Sequence, residues 1–211
     1  MELHLNCITK YYGSLPVLEN VTMSLRQDVC YCLMSPSGSG KTTLLRILMG
    51  LEQPDSGTIT VRDETASFQA SIDEGPTRAS LPFHSLKISA VFQEDRLCPS
   101  FSPLENVMLA VRKGAKASLI RQEMLTLLPE ECLTRPVSTL SGGMKRRTAI
   151  LRALLSPSDI LLMDEPFTGL DEDMKQKVIL YIQQKRQGRF LLVTTHQTEE
   201  AAMLGGQIIH F

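Results

Sequence analysis

The sequence predicts an α/β fold in which a mainly parallel sheet is covered by helices on both faces. Short apolar segments alternate with helical patterns through the second half of the chain, an order that is typical of parallel sheets. A helical pattern broken by prolines over 94–135 indicates an inserted helical lobe. The length of 211 residues fits one medium domain, or one domain with a small inserted lobe.

The individual elements follow from the hydrophobic period and from helix-breaking residues. We expect strands over 2–12, 17–25, 29–34, 58–61, 88–92, 159–163, 190–194 and 207–211. A turn is expected over 13–16 and a loop over 62–85. Further helices are expected over 141–155, 173–187 and 197–204. The first helix begins at Lys41 and is bounded by Gly50 and Pro54, and its apolar side carries Leu44, Leu45, Leu48 and Leu51.

Charge and hydropathy limit the function classes. The net charge of −1, from 22 basic and 23 acidic residues, excludes a nucleic-acid binder that works by overall charge. Locally, Lys145-Arg146-Arg147 remains a basic stretch. Apolar runs stay well short of the ~20 residues that cross a bilayer, and the alternation from Glu2 to Ile8 indicates a strand rather than a signal peptide. We therefore expect a cytosolic protein that only a partner would carry to a membrane.

The five cysteines are interpreted as structural. Cys30 and Cys32 would share one face of an apolar strand as small buried residues, which we favour over a metal or redox site. Cys7, Cys98 and Cys132 have no ligand-like neighbours in the sequence, so a disulfide framework is not expected.

A phosphate-binding loop is the strongest local signal. Residues 35–43 read S-P-S-G-S-G-K-T-T between an apolar strand and a leucine-rich helix, which matches the pattern G-x-x-x-x-G-K-[ST] in its usual context. Small residues let backbone N–H groups converge on phosphate oxygens, Lys41 reaches the β- and γ-phosphates, and Thr42 offers a hydroxyl to Mg²⁺. The candidate nucleotide-binding residues here are Ser35, Pro36, Ser37, Gly38, Ser39, Gly40, Lys41, Thr42 and Thr43.

Ser35 departs from the loop pattern, because it stands where the pattern has its first glycine. A serine there is strained if the position needs a positive φ. The alternative interpretation, a Gly/Ser-rich loop without a ligand, explains the spacing and the context less well.

Two carboxylates follow a buried apolar strand in the segment D-I-L-L-M-D-E-P, residues 159–166. Ligands of open parallel sheets bind at the carboxyl ends of the strands. Asp164 can hold Mg²⁺, directly or through water, and Glu165 can polarise an attacking water. The alternative is a strand that ends in a solvated acidic turn.

The segment L-S-G-G-M, residues 140–144, precedes a helix. Locally, Ser141 is an N-cap with room for close approach. The functional alternative is a second anion site made of the Ser141 hydroxyl and free helix N–H groups.

The phosphate loop, L-S-G-G, L-L-M-D-E-P and T-T-H, in this order, resemble the ATP-binding cassette family over essentially the whole chain. The resemblance implies a P-loop NTPase core with a mainly parallel sheet, a small antiparallel β subdomain and an inserted helical lobe. It also implies one cassette domain over 1–211, with a nucleotide-binding core at 1–93 and 151–211 and a helical lobe with the signature motif at 94–150.

The resemblance assigns further residues. Tyr12, rather than Tyr11, matches the aromatic residue that stacks on adenine, and Gln93 matches the glutamine that contacts Mg²⁺ and links the site to the lobe. His196 matches the histidine that contacts the γ-phosphate, and Asp171 belongs to the loop that lines the dimer interface. The alternatives are an ordinary strand-end aromatic for Tyr12, a solvated strand end for Gln93 and a helix cap for His196.

In this family two chains meet head to tail, so ATP would lie between the phosphate loop of one chain and the signature of the other. The expected signature residues are Ser141, Gly142, Gly143 and Met144, where methionine replaces the usual glutamine. Glu165 is expected to act as general base, His196 as γ-phosphate sensor and Lys41 as charge clamp.

The expected function is that of the ATPase subunit of a multi-subunit membrane transporter, with ATP and Mg²⁺ as cofactors. Expected partners are a second copy or a homologous cassette, polytopic permease subunits and an extracytoplasmic substrate-binding protein, with no nucleic acid. The chain would then lie in the cytoplasm, on the inner face of the cell membrane. V-F-Q-E-D-R-L and S-P-L-E-N-V are similar to importer subunits for nitrate, sulfonates or taurine.

Two alternative functions stay open at this point. The first is a soluble cassette that acts on ribosomes or DNA. The second is a weakly hydrolysing regulatory cassette, which only Ser35 and Met144 favour.

Overall fold

Two sheets form the framework of the computed structural model, which describes residues 1–36, 38–62, 67–71, 86–186 and 188–210, with 67–71 described by backbone alone. The strands are β1 (Glu2–Tyr12), β2 (Leu15–Arg26), β3 (Cys30–Met34), β4 (Ser56–Arg62), β5 (Ser67–Ser71), β6 (Ile88–Val91), β7 (Ile160–Asp164), β8 (Phe190–Thr194) and β9 (Gln207–His210). The helices are α1 (Lys41–Leu48), α2 (Pro103–Met108), α3 (Ala117–Met124), α4 (Gly142–Leu155), α5 (Glu172–Lys185) and α6 (Thr198–Leu204).

The larger sheet is parallel, with the strand order β6-β7-β8-β3-β9. Every residue of its three central strands is buried, because helices cover both faces and the strands need apolar side chains on each. Along β3 the side chains alternate between the two cores: Cys30 and Cys32 lie in one, and Tyr31 and Leu33 lie in the other. Cys30 and Cys32 are thus small buried residues on one face of the strand, as predicted, and all five cysteines are free thiols.

The smaller sheet is antiparallel, with the strand order β2-β1-β4-β5. It packs Leu3, Leu5, Leu25 and Ile59 into the same core as the apolar face of α1. The predicted loop over 62–85 is wrong where β5 forms, because β5 pairs with β4 along its length although its sequence has no clear alternation. The rest of that predicted loop, 63–66 and 72–85, lies outside the described residues.

The segment between β6 and β7 is helical and broken, as predicted. Ser102 begins α2 through a capping box with Glu105, with Pro103 in the first turn. Two short 3₁₀ helices, Glu130–Cys132 and Val137–Thr139, follow α3 where prolines interrupt the pattern. The boundaries proposed for a separate lobe stay a prediction. None of the helices in the described part of the chain has the length and apolar character that crossing a bilayer requires.

Several predicted boundaries shift by one or two residues. Helix α1 ends at Leu48, and Gly50 adopts a φ of 68° that stops it, so Leu51, 60% exposed, is wrongly placed on the apolar side. Ser141 caps α4, as the local sequence predicts, so that helix begins at Gly142, and Asp171 caps α5, which begins at Glu172. The predicted α/β class, with a mainly parallel sheet and a small antiparallel one, is confirmed.

A close approach between β1 and β4 generates a stability prediction. Gly57 has a φ of 102°, and a Cβ there would lie 2.6 Å from the Cys7 carbonyl oxygen. Gly114 also has a positive φ, 89°, but no described neighbour within 4 Å. We expect Gly114→Ala to lower the free energy of unfolding by about 1–2 kcal/mol through backbone strain alone, and Gly57→Ala by about 3 kcal/mol or more. Urea denaturation measures both, and equal losses would contradict the close approach.

Candidate active site

The phosphate loop joins the end of β3 to the start of α1. Gly40 precedes the helix with a φ of 90°, and a Cβ there would lie 2.5 Å from the Val17 carbonyl oxygen and 2.7 Å from the Leu18 side chain. Both the backbone conformation and the packing therefore require glycine. Gly38 has a φ of 84°, which only glycine adopts readily. Ser37 lies outside the described residues.

Lys41 is buried and folds back over the loop that precedes it. Its Nζ donates to the carbonyl oxygens of Ser35, at 2.6 Å, and of Pro36, at 3.0 Å. Ser35 is not among the residues with a positive φ, and its hydroxyl donates to the Met34 carbonyl oxygen at 2.6 Å. The expected strain at Ser35 is therefore absent, because this position does not use the left-handed region.

Asp164 ends β7 with both carboxylate oxygens engaged. The Thr42 hydroxyl donates to Oδ2 at 2.8 Å, and the Thr194 hydroxyl donates to Oδ1 at 2.7 Å. Asp164 is only 4% exposed, and a buried carboxylate requires such partners. The two threonines come from α1 and β8, so the carboxylate joins three elements at one edge of the sheet.

Glu165 follows with a φ of 47°, which is uncommon for a residue other than glycine. Its backbone N–H donates to the Thr194 hydroxyl at 2.9 Å, which holds the turn. Its Oε1 lies 2.6 Å from His196 Nε2. Both side chains are partly accessible, so this pair sits where a ligand can reach it.

One cleft of about 250 Å³ brings together eight of the predicted site residues. It is lined by Val17, Gly38, Gly40, Lys41, Thr42, Thr43, Gln93, Glu165 and His196. Of these residues only Val17, a residue of β2, was not predicted from the sequence. The carboxyl ends of β3, β7 and β8 meet here, as expected for a ligand site of a parallel sheet.

The segment that carries Gln93 is held by arginines of α4. Arg146 donates through Nη1 to the Phe92 carbonyl oxygen at 2.7 Å and through Nη2 to that of Gln93. Arg152 donates to the Arg96 carbonyl oxygen at 2.8 Å. Sequence reasoning noticed Lys145-Arg146-Arg147 only as a basic stretch, but Arg146 is buried. Charge alone could not show that its partners are backbone carbonyls.

The signature residues lie outside the cleft. Ser141 caps α4 by accepting a hydrogen bond from the Met144 N–H at 3.3 Å, and it is exposed. A Cβ at Gly142 would meet no described atom within 4 Å, whereas one at Gly143 would lie 3.4 Å from the Gly169 carbonyl oxygen. Gly143 therefore lies close to the segment that leads to Asp171 in the same chain.

Asp171 and Tyr12 also lie away from the cleft. Asp171 caps α5 by accepting from the Met174 N–H at 2.9 Å. Tyr12 is 46% exposed, its hydroxyl donates to Glu52, and the Lys10 ammonium lies 5.9 Å from its ring centroid. Its role as an adenine platform stays a prediction, as do the roles assigned to each residue of the cleft.

A protein-family model described as ABC transporter matches residues 18–168. The chain belongs to the ABC transporter family. The predicted resemblance to ATPase domains of this family, with its P-loop core, is thereby confirmed. Among the part of the chain that the structure describes, no three His, Cys, Asp or Glu side chains group as a metal site.

Two curated relatives illustrate the match. Nod factor export ATP-binding protein I of Ralstonia nicotianae is 35% identical over 207 residues, which cover 93% of this chain and 60% of that protein. Sulfate/thiosulfate import ATP-binding protein CysA 2 of Rhizobium meliloti is 33% identical, over 99% of this chain and 57% of that protein. The chain therefore spans less than two thirds of the length of these relatives. One is named for export and the other for import, and the narrower likeness to nitrate, sulfonate or taurine importers stays a prediction.

Two solved structures share the fold. The dimeric structure of MJ0796, a bacterial ABC transporter cassette, has a TM-score of 0.81 and 27% identity, over 99% of this chain and 94% of that chain. A dimeric post-hydrolysis state of the same cassette, bound to ADP and Pi, has a TM-score of 0.77 and 26% identity, over the same shares.

The hydroxyl of Thr194 generates a prediction about the site's framework. Thr194→Val removes a donor to Asp164 and the acceptor of the Glu165 N–H, which leaves buried polar groups unpaired. We expect the free energy of unfolding to fall by about 1–3 kcal/mol. Thr194→Ser, the matched control, keeps the hydroxyl and should cost only about 0.8 kcal/mol for the lost methyl. Urea denaturation separates them, and a valine variant as stable as the serine variant would show that the hydroxyl is dispensable.

Proposed function

We propose that this chain binds ATP with Mg²⁺ in the cleft and hydrolyses the γ-phosphate as the motor subunit of a membrane transporter. The observation that carries the proposal is the convergence of Lys41, Thr42 and the Glu165–His196 pair on one cleft, with Asp164 hydrogen-bonded to Thr42. The family match and the likeness to a cassette solved with ADP and Pi support it.

Lys41 supplies the charge for phosphate binding. Its ammonium donates to two loop carbonyl oxygens, and phosphate oxygens are stronger acceptors for it because they carry charge. The backbone N–H groups that begin α1 point toward the same place, since the first turn of a helix leaves its N–H groups without intrahelical partners. Together they form a site for the β- and γ-phosphates.

The residues beside the loop fit a magnesium ion. Mg²⁺ prefers a few hard oxygen ligands and keeps several waters. Thr42 Oγ1 and Asp164 Oδ2 lie 2.8 Å apart, and the Gln93 amide lines the same cleft. These three side chains would hold the ion, which neutralises phosphate charge when it is bound.

Glu165 would act as the general base. The turn after β7 places its carboxylate beside the cleft, and the Thr194 hydroxyl fixes the backbone of that turn. His196 holds the carboxylate from the other side, and its ring is exposed enough to meet a γ-phosphate. Positioning and electrostatic stabilisation supply most of the catalysis in phosphoryl transfer.

A second cassette would complete the site. Ser141 and Gly142 are exposed at the start of α4 and do not line their own chain's cleft. The similar solved cassette is dimeric, which supports a head-to-tail pair in which the signature of one chain covers the ATP of the other. Asp171 would lie at this interface.

The whole assembly is proposed from the family. The relatives are named for export or import, so permease subunits are proposed as membrane partners, and an extracytoplasmic substrate-binding protein would accompany an importer. The chain would then lie on the inner face of the membrane, with a nucleotide-binding core at 1–93 and 151–211 and a signature-bearing lobe at 94–150. A regulatory cassette is not favoured, because Ser35 is unstrained and the Ser141 cap uses the Met144 backbone, not its side chain.

Replacing Glu165 tests the hydrolytic part of the proposal. Glu165→Gln should keep ATP binding but slow hydrolysis by roughly 10²–10⁴, the usual contribution of a general base. Glu199→Gln, an exposed glutamate of α6, is the matched control and should leave turnover unchanged. Phosphate release and titration with a fluorescent ATP analogue measure the two properties. Near-normal turnover of Glu165→Gln would show that another group activates water.

Mixing two inactive variants tests the composite site. Lys41→Ala and Ser141→Arg homodimers each have two broken sites. A mixed dimer has one intact site, because the phosphate loop of the Ser141→Arg chain faces the signature of the Lys41→Ala chain. The mixture should regain ATP-dependent dimerisation in size-exclusion chromatography and some phosphate release. If it behaves as the average of its components, the site is made within one chain.

A further inference from the structure

The residues on both sides of His196 are tied to one another and to α6. The Thr195 hydroxyl donates to Glu200, and the Gln197 N–H donates to the Thr195 hydroxyl at 3.1 Å. Thr195 and Glu200 are 2% and 6% exposed. The backbone that carries His196 is thus held by a buried carboxylate, although the His196 ring itself is exposed.

Lys175 of α5 joins this network from the other side. Its Nζ donates to the Gln197 side-chain oxygen at 2.8 Å, and it lies 3.1 Å from Glu200 Oε1 and 3.3 Å from Glu172 Oε2. An ammonium has three hydrogens to donate, and these three partners match them. Lys175 is only 7% exposed.

A buried ion pair of this kind adds little to stability on balance, since removing two charges from water offsets their attraction. In some proteins such a pair selects one arrangement of the chain. The Lys175–Glu200 pair contacts both ends of the His196 bend, residues 195–197, because Thr195 bonds to Glu200 and Gln197 bonds to Lys175.

The open space on both sides of His196 explains why its backbone needs hydrogen bonds to fix it. A second cavity of about 250 Å³ shares Glu165 and His196 with the cleft but is otherwise lined by other residues, among them Lys175 and Gln197. The Glu165–His196 pair therefore has open volume on two sides. Packing alone therefore does not hold the His196 ring beside Glu165. The hydrogen bonds of Thr195 and Gln197, on either side of His196, supply the missing restraint.

The network also reaches the predicted dimer loop. The Lys175 N–H donates to the Asp171 carbonyl oxygen at 2.8 Å, so Lys175 lies one turn after the cap of α5. A displacement of Asp171 would move Lys175, and with it Gln197.

We propose that Lys175 and Glu200 are positioning residues that hold His196 against Glu165 and tie its place to the loop at Asp171. The catalytic consequence rests on the proposed ATPase function, but the positioning itself does not. Neither residue touches the phosphate cleft, so their effect on the reaction passes through His196.

The test removes both charges together, because a single removal would leave one buried charge unpaired. The double variant is Lys175→Met with Glu200→Gln, and the matched control is Lys177→Met with Glu199→Gln, two exposed residues of the same helices. Lys175→Arg keeps the charge and is the rescue variant. Lys175→Gln with Glu200→Gln, which removes both charges but leaves two amides that can still bond to each other, is used if the first double variant does not fold.

The first measurement is independent of ATP. The chain has four histidines, and the His196 ring signal is identified in ¹H–¹³C NMR by its loss in His196→Gln. We expect that signal to shift and broaden in the double variant, to stay unchanged in the control and to return close to its native position in Lys175→Arg. An unchanged signal in the double variant overturns the inference, whatever the ATPase activity.

The second measurement is steady-state ATP hydrolysis. We expect kcat of the double variant to fall about tenfold while KM for ATP stays within about twofold, because ATP binding does not depend on the bend. A double variant with wild-type kcat overturns the inference. If the wild-type chain hydrolyses no ATP but the His196 signal moves as expected, the proposed function fails and the positioning role stands.

Discussion

A chain of hydrogen bonds from Thr194 through Asp164 to Thr42 is the constraint on which the site depends. A carboxylate that is almost fully buried at the end of a strand needs hydrogen-bond partners within the protein, and both of its oxygens here accept hydroxyl hydrogens from neighbouring elements. The same Thr194 hydroxyl accepts the Glu165 N–H and holds that residue in a left-handed conformation. The framework of β7, β8 and α1 therefore decides where the Glu165 carboxylate can point.

The second constraint links the cleft to the helices outside the sheet. Arg146 and Arg152 of α4 bond to backbone carbonyl oxygens of the segment after β6. Because the arginines hold the main chain, the position of Gln93 follows the position of α4. A movement of the helical segment against the sheet would carry Gln93 with it.

Helix α4 is also capped by Ser141, the signature residue proposed to meet the ATP of a second chain. The same helix thus has Ser141, proposed to contact the partner's nucleotide, at its start and Arg146, which bonds to the Gln93 carbonyl oxygen, further along. Helix α5 is capped by Asp171, and its Lys175 is bonded to Gln197 beside His196. Gln93 and His196 are therefore each held by a helix, α4 and α5 respectively, whose N-cap lies at the proposed interface.

The sequence by itself determined the phosphate loop, the order of strands and helices, and most of the residues around the cleft, because these features depend on short-range spacing and hydrophobic period. The sequence did not predict the strand β5, because that strand is defined by its pairing with β4. Only the tertiary structure decided that Ser35 is unstrained, that Thr194 is the centre of the carboxylate framework, and that Arg146 and Lys175 act inside the protein rather than on its surface. Those roles depend on partners far away in the chain, which local residue types do not reveal.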